Sequence, residues 1–187
     1  MAGDHAGLTV SVTPAGEAER ALIEGLFQFY LYDFSEMEPP EATDLVFEED
    51  GRYRPFPPLA TYWDEADRWP LLIRVGGRPA GFALINTHSH RGGHVARNMG
   101  EFFVARKYRG GGIAAEALRQ VLALHPGPWE VAVVARNARA KVFWPRAIAA
   151  AGVRELTVDE RNDDHWKGPI WSFRVLPSRP ISPCGTV

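Results

Sequence analysis

Hydrophobic and polar positions follow different periods in different parts of the chain, and the period predicts the element. Residues 8–12 (LTVSV) alternate with a period of two, which predicts a short β-strand. Apolar residues from Leu22 to Tyr30 recur at helical spacing and predict a helix over about 15–32. Thr13-Pro14 would then supply its N-cap and a proline of the first turn.

Three strands are predicted next, joined as an antiparallel meander. Residues 71–75 run into Gly76-Gly77, a pair typical of a two-residue hairpin turn, and residues 80–86 return. A loop rich in glycine and histidine (87–94) leads to a third strand over about 97–104.

A different unit follows the meander. A helical stripe begins at Ile113, and His125-Pro126 ends it. Residues 129–135 (WEVAVVA) form a nearly continuous apolar run, typical of a buried parallel strand. Residues 99–135 therefore predict one right-handed strand–helix–strand unit.

The last predicted helix starts at Asn137, whose side chain is a favoured N-cap, and ends near Gly152. Pro145 lies inside it. Because proline removes one backbone hydrogen bond and clashes with the preceding turn, we predict a kink or an early end after Trp144.

Weaker strands over about 154–159 and 169–176 complete the pattern. The length of 187 residues is typical of one domain, so we predict a single mixed α/β domain over 1–176 and a loose tail over 177–187. The sequence also carries signals about location. Because Cys184 is the single cysteine, an internal disulfide framework is excluded, and the sequence shows neither a secretory signal nor a long apolar run. These features predict a cytoplasmic protein without a membrane partner.

The charge is unevenly distributed although the formal net charge is only −2. That balance gives no indication of a nucleic-acid partner. Residues 104–141, however, hold seven Lys or Arg and two Asp or Glu, which leaves a net charge of −7 on the rest of the chain. A local basic segment in an acidic protein favours a small anionic ligand.

The strongest chemical signal is the segment from Arg109 to Ala114 (RGGGIA), placed between a strand and a helix. Its glycines expose backbone N–H groups, and the first N–H groups of the helix lack intrahelical partners. Such a corner binds phosphate or diphosphate. A nucleotide P-loop is excluded because Ile113-Ala114 stands where Lys-Ser/Thr is required. The spacing also fits a relaxed dinucleotide fingerprint, but the acid expected at the end of the next strand is missing there.

The segment resembles the acetyl-CoA loop of the Gcn5-related N-acetyltransferase (GNAT) family, whose pattern is Arg/Gln-x-x-Gly-x-Gly/Ala. Arg109, Gly112 and Ala114 match it, and Asn137 with Phe143-Trp144 resembles the family's second cofactor-contacting segment. The order of meander, glycine corner, helix, parallel strand and Asn-capped helix also matches. The resemblance therefore implies a GNAT-like mixed sheet in which an antiparallel meander precedes one parallel βαβ unit with splayed strands.

The resemblance also implies how acetyl-CoA is held as a co-substrate. Backbone groups of Phe102, Phe103 and Val104 would bind the pantetheine arm as an added strand. The diphosphate would lie on Arg109, Gly110, Gly111, Gly112, Ile113 and Ala114, with Asn137 and Trp144 completing the cofactor-binding set. Arg139 and Lys141 are either ligands of the 3′-phosphate or part of an exposed basic helix face.

The catalytic groups are less clearly marked. Glu101 is a candidate general base for an acceptor amine, and its alternative is a structural hydrogen bond to a neighbouring loop. Many members of the GNAT family carry a tyrosine at the position of Trp144. That tyrosine protonates the departing thiolate of coenzyme A. An indole N–H is no usable acid. Four other tyrosines are possible substitutes: Tyr30, Tyr32, Tyr62 and Tyr108.

Two further features admit more than one interpretation each. His88, His90 and His94 have a spacing similar to zinc ligands, but their neighbours are typical of a mobile loop, and either His88 or His90 is also a candidate for the acceptor site. Residues 33–50 hold eight acids and no Lys or Arg; they form either a solvated loop or a patch that steers a cationic acceptor.

The expected activity is transfer of an acetyl group to a primary amine of a small molecule or a protein, without a metal. A non-catalytic acyl-CoA sensor and a dinucleotide-dependent oxidoreductase remain as alternatives. Dimers are common among the family members that the chain resembles, so a homodimer is a further expectation.

Overall fold

A seven-stranded mixed sheet forms the centre of the computed structural model, which describes residues 7–54 and 59–177. The sheet order is β1-β2-β3-β4-β5-β7-β6. The elements are β1 Val10–Pro14, α1 Glu17–Ser35, α2 Thr61–Asp64, β2 Trp69–Val75, β3 Arg78–His88, β4 His94–Val104, α3 Ile113–Leu124, β5 Gly127–Ala132, α4 Ala138–Ala150, β6 Arg154–Asn162 and β7 Lys167–Val175. The proposed tail from residue 178 onward lies outside the described residues.

The predicted start of the first helix is wrong by a few residues. Pro14 is the last residue of β1, an edge strand that tolerates proline because one side of its backbone has no partner strand. The helix begins at Glu17 with Gly16 as N-cap, whose N–H donates to the Glu19 carboxylate at 3.0 Å. It continues to Ser35, so Asp33 is a helical residue.

The meander is confirmed. Gly76 and Gly77 have φ values of 56° and 76°, the left-handed geometry that a tight hairpin between β2 and β3 requires. Strands β3 and β4 are longer than predicted and pair as far as His88 and His94, which reduces the predicted glycine–histidine loop to a short turn.

The parallel pair is confirmed as well, and its two strands diverge. Asn98 and Glu130 are the one register pair recorded between β4 and β5, while β5 pairs with β7 along its whole length from Gly127 to Ala132. The C-terminal half of β4 therefore borders a gap rather than a neighbouring strand.

A β-bulge on β4 decides which side chains face which helix. Glu101 is opposite Leu84 and Met99 is opposite Ile85, so Gly100 is the extra residue. A Cβ on Gly100 would lie 2.6 Å from Asn86 Nδ2. After the bulge Phe103 packs on the α1 side, whereas Phe102 packs on the opposite side, against the cluster that includes Trp144.

The early end predicted at Pro145 does not occur, because α4 runs through it to Ala150. Proline removes only the hydrogen bond to the Lys141 carbonyl, and Lys141 is exposed, so water can satisfy that oxygen. Trp144, Ala147 and Ile148 are buried and anchor the helix on both sides of the proline. In the part of the chain that the structure describes, no helix is long and apolar enough to cross a membrane.

Gly81 is required by the close approach of β3 and β4, because a Cβ there would lie 2.0 Å from the Phe103 carbonyl oxygen. We expect Gly81→Ala to lower the free energy of unfolding by about 1–3 kcal/mol. Gly25→Ala in α1 is the matched control: its Cβ meets nothing within 4 Å, and it should raise stability by about 0.5–1 kcal/mol. Denaturant unfolding of both variants checks this, and equal effects would contradict it.

Candidate active site

A groove of about 460 Å³ opens where β4 and β5 separate. The C-terminal end of α1, the start of α4, the end of β4 and the glycine corner form its walls. The lining residues include Tyr30, Phe34, Phe102, Phe103, Val104, Arg109, Gly110, Ala114, Asn137, Arg139, Phe143 and Trp144. Most members of the predicted cofactor-binding set thus meet in one groove.

The edge of β4 faces this groove with its backbone. The Ala105 N–H donates to the Ala80 carbonyl at 2.8 Å, on the β3 side. Backbone groups alternate in direction along a strand, so those of Phe102 and Val104 point the other way, toward the gap. The Arg109 Nε–H donates to the Val104 carbonyl at 2.8 Å and fixes the strand end to the glycine corner.

The glycine corner has the conformation that its sequence predicts. Gly110, Gly111 and Gly112 have φ values of 96°, 55° and 79°, a run that residues with a Cβ adopt only with strain. Helix α3 follows at once, and no side chain caps it. The Ile113 side chain is buried in the core, so only backbone N–H groups are presented there.

Four arginines around the groove meet carboxylates from the end of α1 and the residues after it. Asp33 pairs with Arg109 and, at 2.8 Å, with Arg106. Glu38 pairs with Arg136. Glu36 lies 3.7 Å from both Arg106 and Arg139.

The first part of the acidic stretch is therefore not a solvated loop, because Asp33 and Glu38 are paired with arginines. The side chains of Asp33 and Glu38 are only 18% and 12% exposed. Neither sequence interpretation of residues 33–50 included partners, because the arginines are about 70 to 100 residues away in sequence and the fold alone brings them close.

Asn137 and Trp144 also lie where they were expected. Asn137 is the N-cap of α4, and its Oδ1 accepts from the Ala140 N–H at 2.9 Å, as predicted. Trp144 packs edge-on against Phe102 with ring centroids 5.5 Å apart. It is both a core residue and a wall of the groove.

A smaller cavity of about 260 Å³ adjoins the groove and holds Glu101. His90, Met99, Gly100 and Trp166 line it, together with residues on β5 and α4. Six residues line both spaces: Tyr30, Phe34, Phe102, Asn137, Ala140 and Trp144. The two spaces therefore share one wall.

Glu101 is half-buried, and its carboxylate accepts a hydrogen bond from the Tyr30 hydroxyl. Burial raises the pKa of the Glu101 carboxyl to about 7, and the Tyr30 hydrogen bond opposes the rise. Burial and the neighbouring carboxylate together raise the pKa of Tyr30 well above its usual value. Neither Tyr32 nor Tyr62 lines either space: Tyr32 is exposed, and the Tyr62 hydroxyl accepts a hydrogen bond from Asn86 Nδ2 at 3.0 Å.

Sequence reasoning missed the network that holds the turn between β3 and β4. Glu130 is 2% exposed, pairs with Arg91 at 3.0 Å and accepts from the Ser89 hydroxyl and the His90 N–H. Arg91 also donates to Ser172 Oγ on β7 at 2.6 Å. A short turn stands where the loop was expected, and buried hydrogen bonds anchor it. A lone acid inside the apolar run 129–135 was the available signal, since a buried carboxylate needs a partner.

The three histidines do not converge. His90 packs against Trp166 with ring centroids 4.1 Å apart and the rings tilted by 44°, and burial lowers the pKa of His90. His88 is exposed and lies edge-on to His90, while His94 lies near Thr87. Within residues 7–54 and 59–177, no group of three or more His, Cys, Asp or Glu side chains is arranged to hold a metal ion.

Comparison with known proteins adds to this geometry. A sequence profile described as the acetyltransferase (GNAT) family matches residues 26–147. No curated protein matches the sequence.

Several solved structures share the fold. An acetyltransferase from Thermus thermophilus is 19% identical, with a TM-score of 0.59 over 90% of this chain and 98% of its own. The PaiA N-acetyltransferase from Thermoplasma acidophilum, in complex with coenzyme A, is 8% identical, with a TM-score of 0.57 over 89% and 99%. Mycobacterium smegmatis RimJ, in complex with a CoA-disulfide, is 20% identical, with a TM-score of 0.55 over 89% and 81%.

The raised pKa of Glu101 predicts a pH dependence of stability. Between its ordinary pKa of 4.5 and about 7, the folded protein binds a proton that the unfolded chain has released. The free energy of unfolding should therefore fall across that range as pH rises, and Glu101→Gln should lack this contribution. Denaturant unfolding at several pH values tests it, with exposed Glu49→Gln as the control for lost charge. Parallel curves for Glu101→Gln and wild type would contradict the burial of a charged carboxyl.

Proposed function

Because the chain belongs to the acetyltransferase (GNAT) family, we propose that it transfers the acetyl group of acetyl-CoA to a primary amine of a small molecule or a protein. One observation carries the proposal. The glycine corner and the open edge of β4 line a groove between the separated strands, and the Glu101 cavity adjoins that groove across six shared residues.

The residues present fit coenzyme A by charge and by shape. The N–H groups of residues 110–114 and the N-terminus of α3 would bind the diphosphate. Backbone groups of Phe102 would bind the pantetheine arm as an added strand, and Val104, at the end of the same strand edge, would meet the thioester. Asn137 and Trp144 would border the thioester end, and Arg139 is the exposed cation that we assign to the 3′-phosphate, beside Lys141.

Glu101 is the base that we assign to the acceptor. An amine attacks in its neutral form, and its nitrogen must lose a proton as the C–N bond forms. A carboxylate with a pKa near 7 accepts protons at neutral pH far better than an ordinary glutamate. The enzyme would otherwise contribute positioning, and the Val104 N–H is the donor that we assign to the thioester oxygen.

The two alternatives fare differently. A dinucleotide-dependent oxidoreductase needs an acidic side chain that binds the ribose. Glu130 does not supply it, because it is paired with Arg91 and Ser89 in a buried network. A non-catalytic acyl-CoA sensor is favoured by Trp144, which replaces the tyrosine of many family members with a side chain that cannot act as an acid.

Binding is tested by placing a carboxylate at the glycine corner. Gly112→Asp should raise the Kd for acetyl-CoA at least about tenfold, or about 1.4 kcal/mol, by repelling the diphosphate. Gly152→Asp is the matched control, since Gly152 has a similar φ of 70° and equally open space, but ends α4. Isothermal calorimetry measures both. Equal affinities in the two variants would show that the corner does not hold the diphosphate.

Turnover is tested by coenzyme A release from acetyl-CoA with spermidine, kanamycin, 2-phenylethylamine and a peptide with a free N-terminus. We expect at least one amine to react, and Glu101→Gln to lower kcat on the order of 100-fold while acetyl-CoA still binds. Tight binding without release from any amine would favour the sensor. Full activity of Glu101→Gln across pH would show that Glu101 is not the general base.

A further inference from the structure

The wall shared by the two spaces contains one titratable side chain. Of its six residues, Phe34, Phe102 and Ala140 have no exchangeable side-chain proton, and Trp144 has an indole N–H that does not titrate. Asn137 has an amide whose oxygen already caps α4. Tyr30 is the exception, because its phenol can both give and take a proton.

Glu101 and Tyr30 differ in what they reach. Glu101 lines the smaller cavity, which holds the acceptor in the proposed function, whereas Tyr30 lines that cavity and the groove of the thioester. The hydroxyl of Tyr30 donates directly to the Glu101 carboxylate. A proton taken up on the acceptor side therefore has a continuous path to the sulfur side through these two side chains.

We propose that Glu101 and Tyr30 act as one proton relay, in which Glu101 takes the proton of the attacking amine and Tyr30 protonates the sulfur of the departing coenzyme A. This proposal rests on the proposed acetyltransferase function. The relay assigns protonation of the leaving thiolate to Tyr30 on α1, because Trp144 on α4 cannot act as an acid.

The step balances within the pair. The amine lone pair forms the C–N bond at the thioester carbon, and the C–S bond breaks with its electron pair left on sulfur. Glu101 takes the excess proton from nitrogen. Tyr30 gives its phenolic proton to sulfur and receives the proton held by Glu101. The products are an amide and a thiol, and both side chains return to their starting state.

The two side chains need each other for this work. Burial raises the pKa of Tyr30 well above its usual value, so on its own it would be a weak donor to a thiolate whose reference pKa is about 8.5. The Glu101 carboxyl, with a pKa of about 7, is the stronger acid and can recharge the phenol as the phenol donates. The net transfer from carboxyl to thiolate is then favourable.

The geometry of α1 holds the tyrosine in place. Its ring contacts Phe27 and Phe34 on the same helix, with centroids 5.1 and 4.6 Å away. It also meets Phe82 and Phe103 of the sheet edge-on. This aromatic packing leaves Tyr30→Phe well supported, so that variant removes the hydroxyl and keeps the fold.

The experiment compares Tyr30→Phe, Glu101→Gln and the double variant, with the most reactive amine of the panel as acceptor. Tyr30→Phe should lower kcat on the order of 100-fold and leave the KM for acetyl-CoA unchanged. The double variant should be no slower than the slower single variant, because one relay can be broken only once. Tyr32→Phe, which removes an exposed phenol from the same helix, should retain wild-type activity.

A pH profile supplies a readout that a purely structural role would not move. The titratable side chains around the Glu101 carboxyl are Tyr30 of α1, Tyr62 of α2 and His90 of the β3–β4 turn. Since the Tyr30 hydrogen bond lowers the pKa of Glu101, its removal should shift the acidic limb of the profile, where Glu101 must lose its proton to act as the base, to higher pH. A ¹³C NMR titration of the Glu101 carboxyl should show the same shift without any acceptor.

Each outcome decides between the proposals. Full activity of Tyr30→Phe, losses that multiply in the double variant, or an unchanged Glu101 titration would each overturn the relay and leave the acetyltransferase function standing. A wild-type protein that binds acetyl-CoA and reacts with no amine overturns the proposed function and the relay together.

Discussion

The site depends on two parallel strands that meet at one position and then separate. At Asn98 and Glu130 the strands β4 and β5 are neighbours, and beyond it β5 pairs only with β7. The buried Glu130 holds this junction by hydrogen bonds to the β3–β4 turn and by its ion pair with Arg91, which reaches Ser172 on β7. Breaking such a pair would leave a buried charge, so the junction is costly to distort. Every feature of the proposed chemistry lies along the gap that starts there.

Charge is arranged in two opposite ways around that gap. At the glycine corner, arginines and backbone N–H groups favour an anion, although carboxylates near the end of α1 already neutralise part of the cationic charge. In the smaller cavity the Glu101 carboxyl has lost much of its water, and the Tyr30 phenol is the hydrogen-bond donor that meets it among the described residues. Burial makes the Glu101 carboxyl a better proton acceptor, whereas the exposed glycines of the corner leave their N–H groups open to an anion.

Family membership explains the fold of this chain, whereas the proposed chemistry depends on its individual side chains. Membership is established by a profile that covers residues 26–147, and structures at 8–20% identity share the fold. At that distance the fold says little about which side chains react. In this chain α4 contributes Trp144 to the shared wall and α1 contributes Tyr30. In the proposed relay the acid therefore comes from α1 rather than from α4.

The sequence by itself determined the meander, the parallel unit, the glycine corner and the Asn137 cap, because each depends on residues close together in the chain. Hydrophobic period, turn glycines and capping side chains are local rules. Only the tertiary structure decided that Tyr30 meets Glu101, that Asp33 meets Arg109 and that Glu130 meets Arg91, since each pair joins elements 39 to 76 residues apart. It also decided that α4 continues past Pro145, because packing on both sides outweighs one lost hydrogen bond. Such contacts are not encoded in any local pattern: they arise when strands and helices bury their apolar faces together and carry the polar side chains with them.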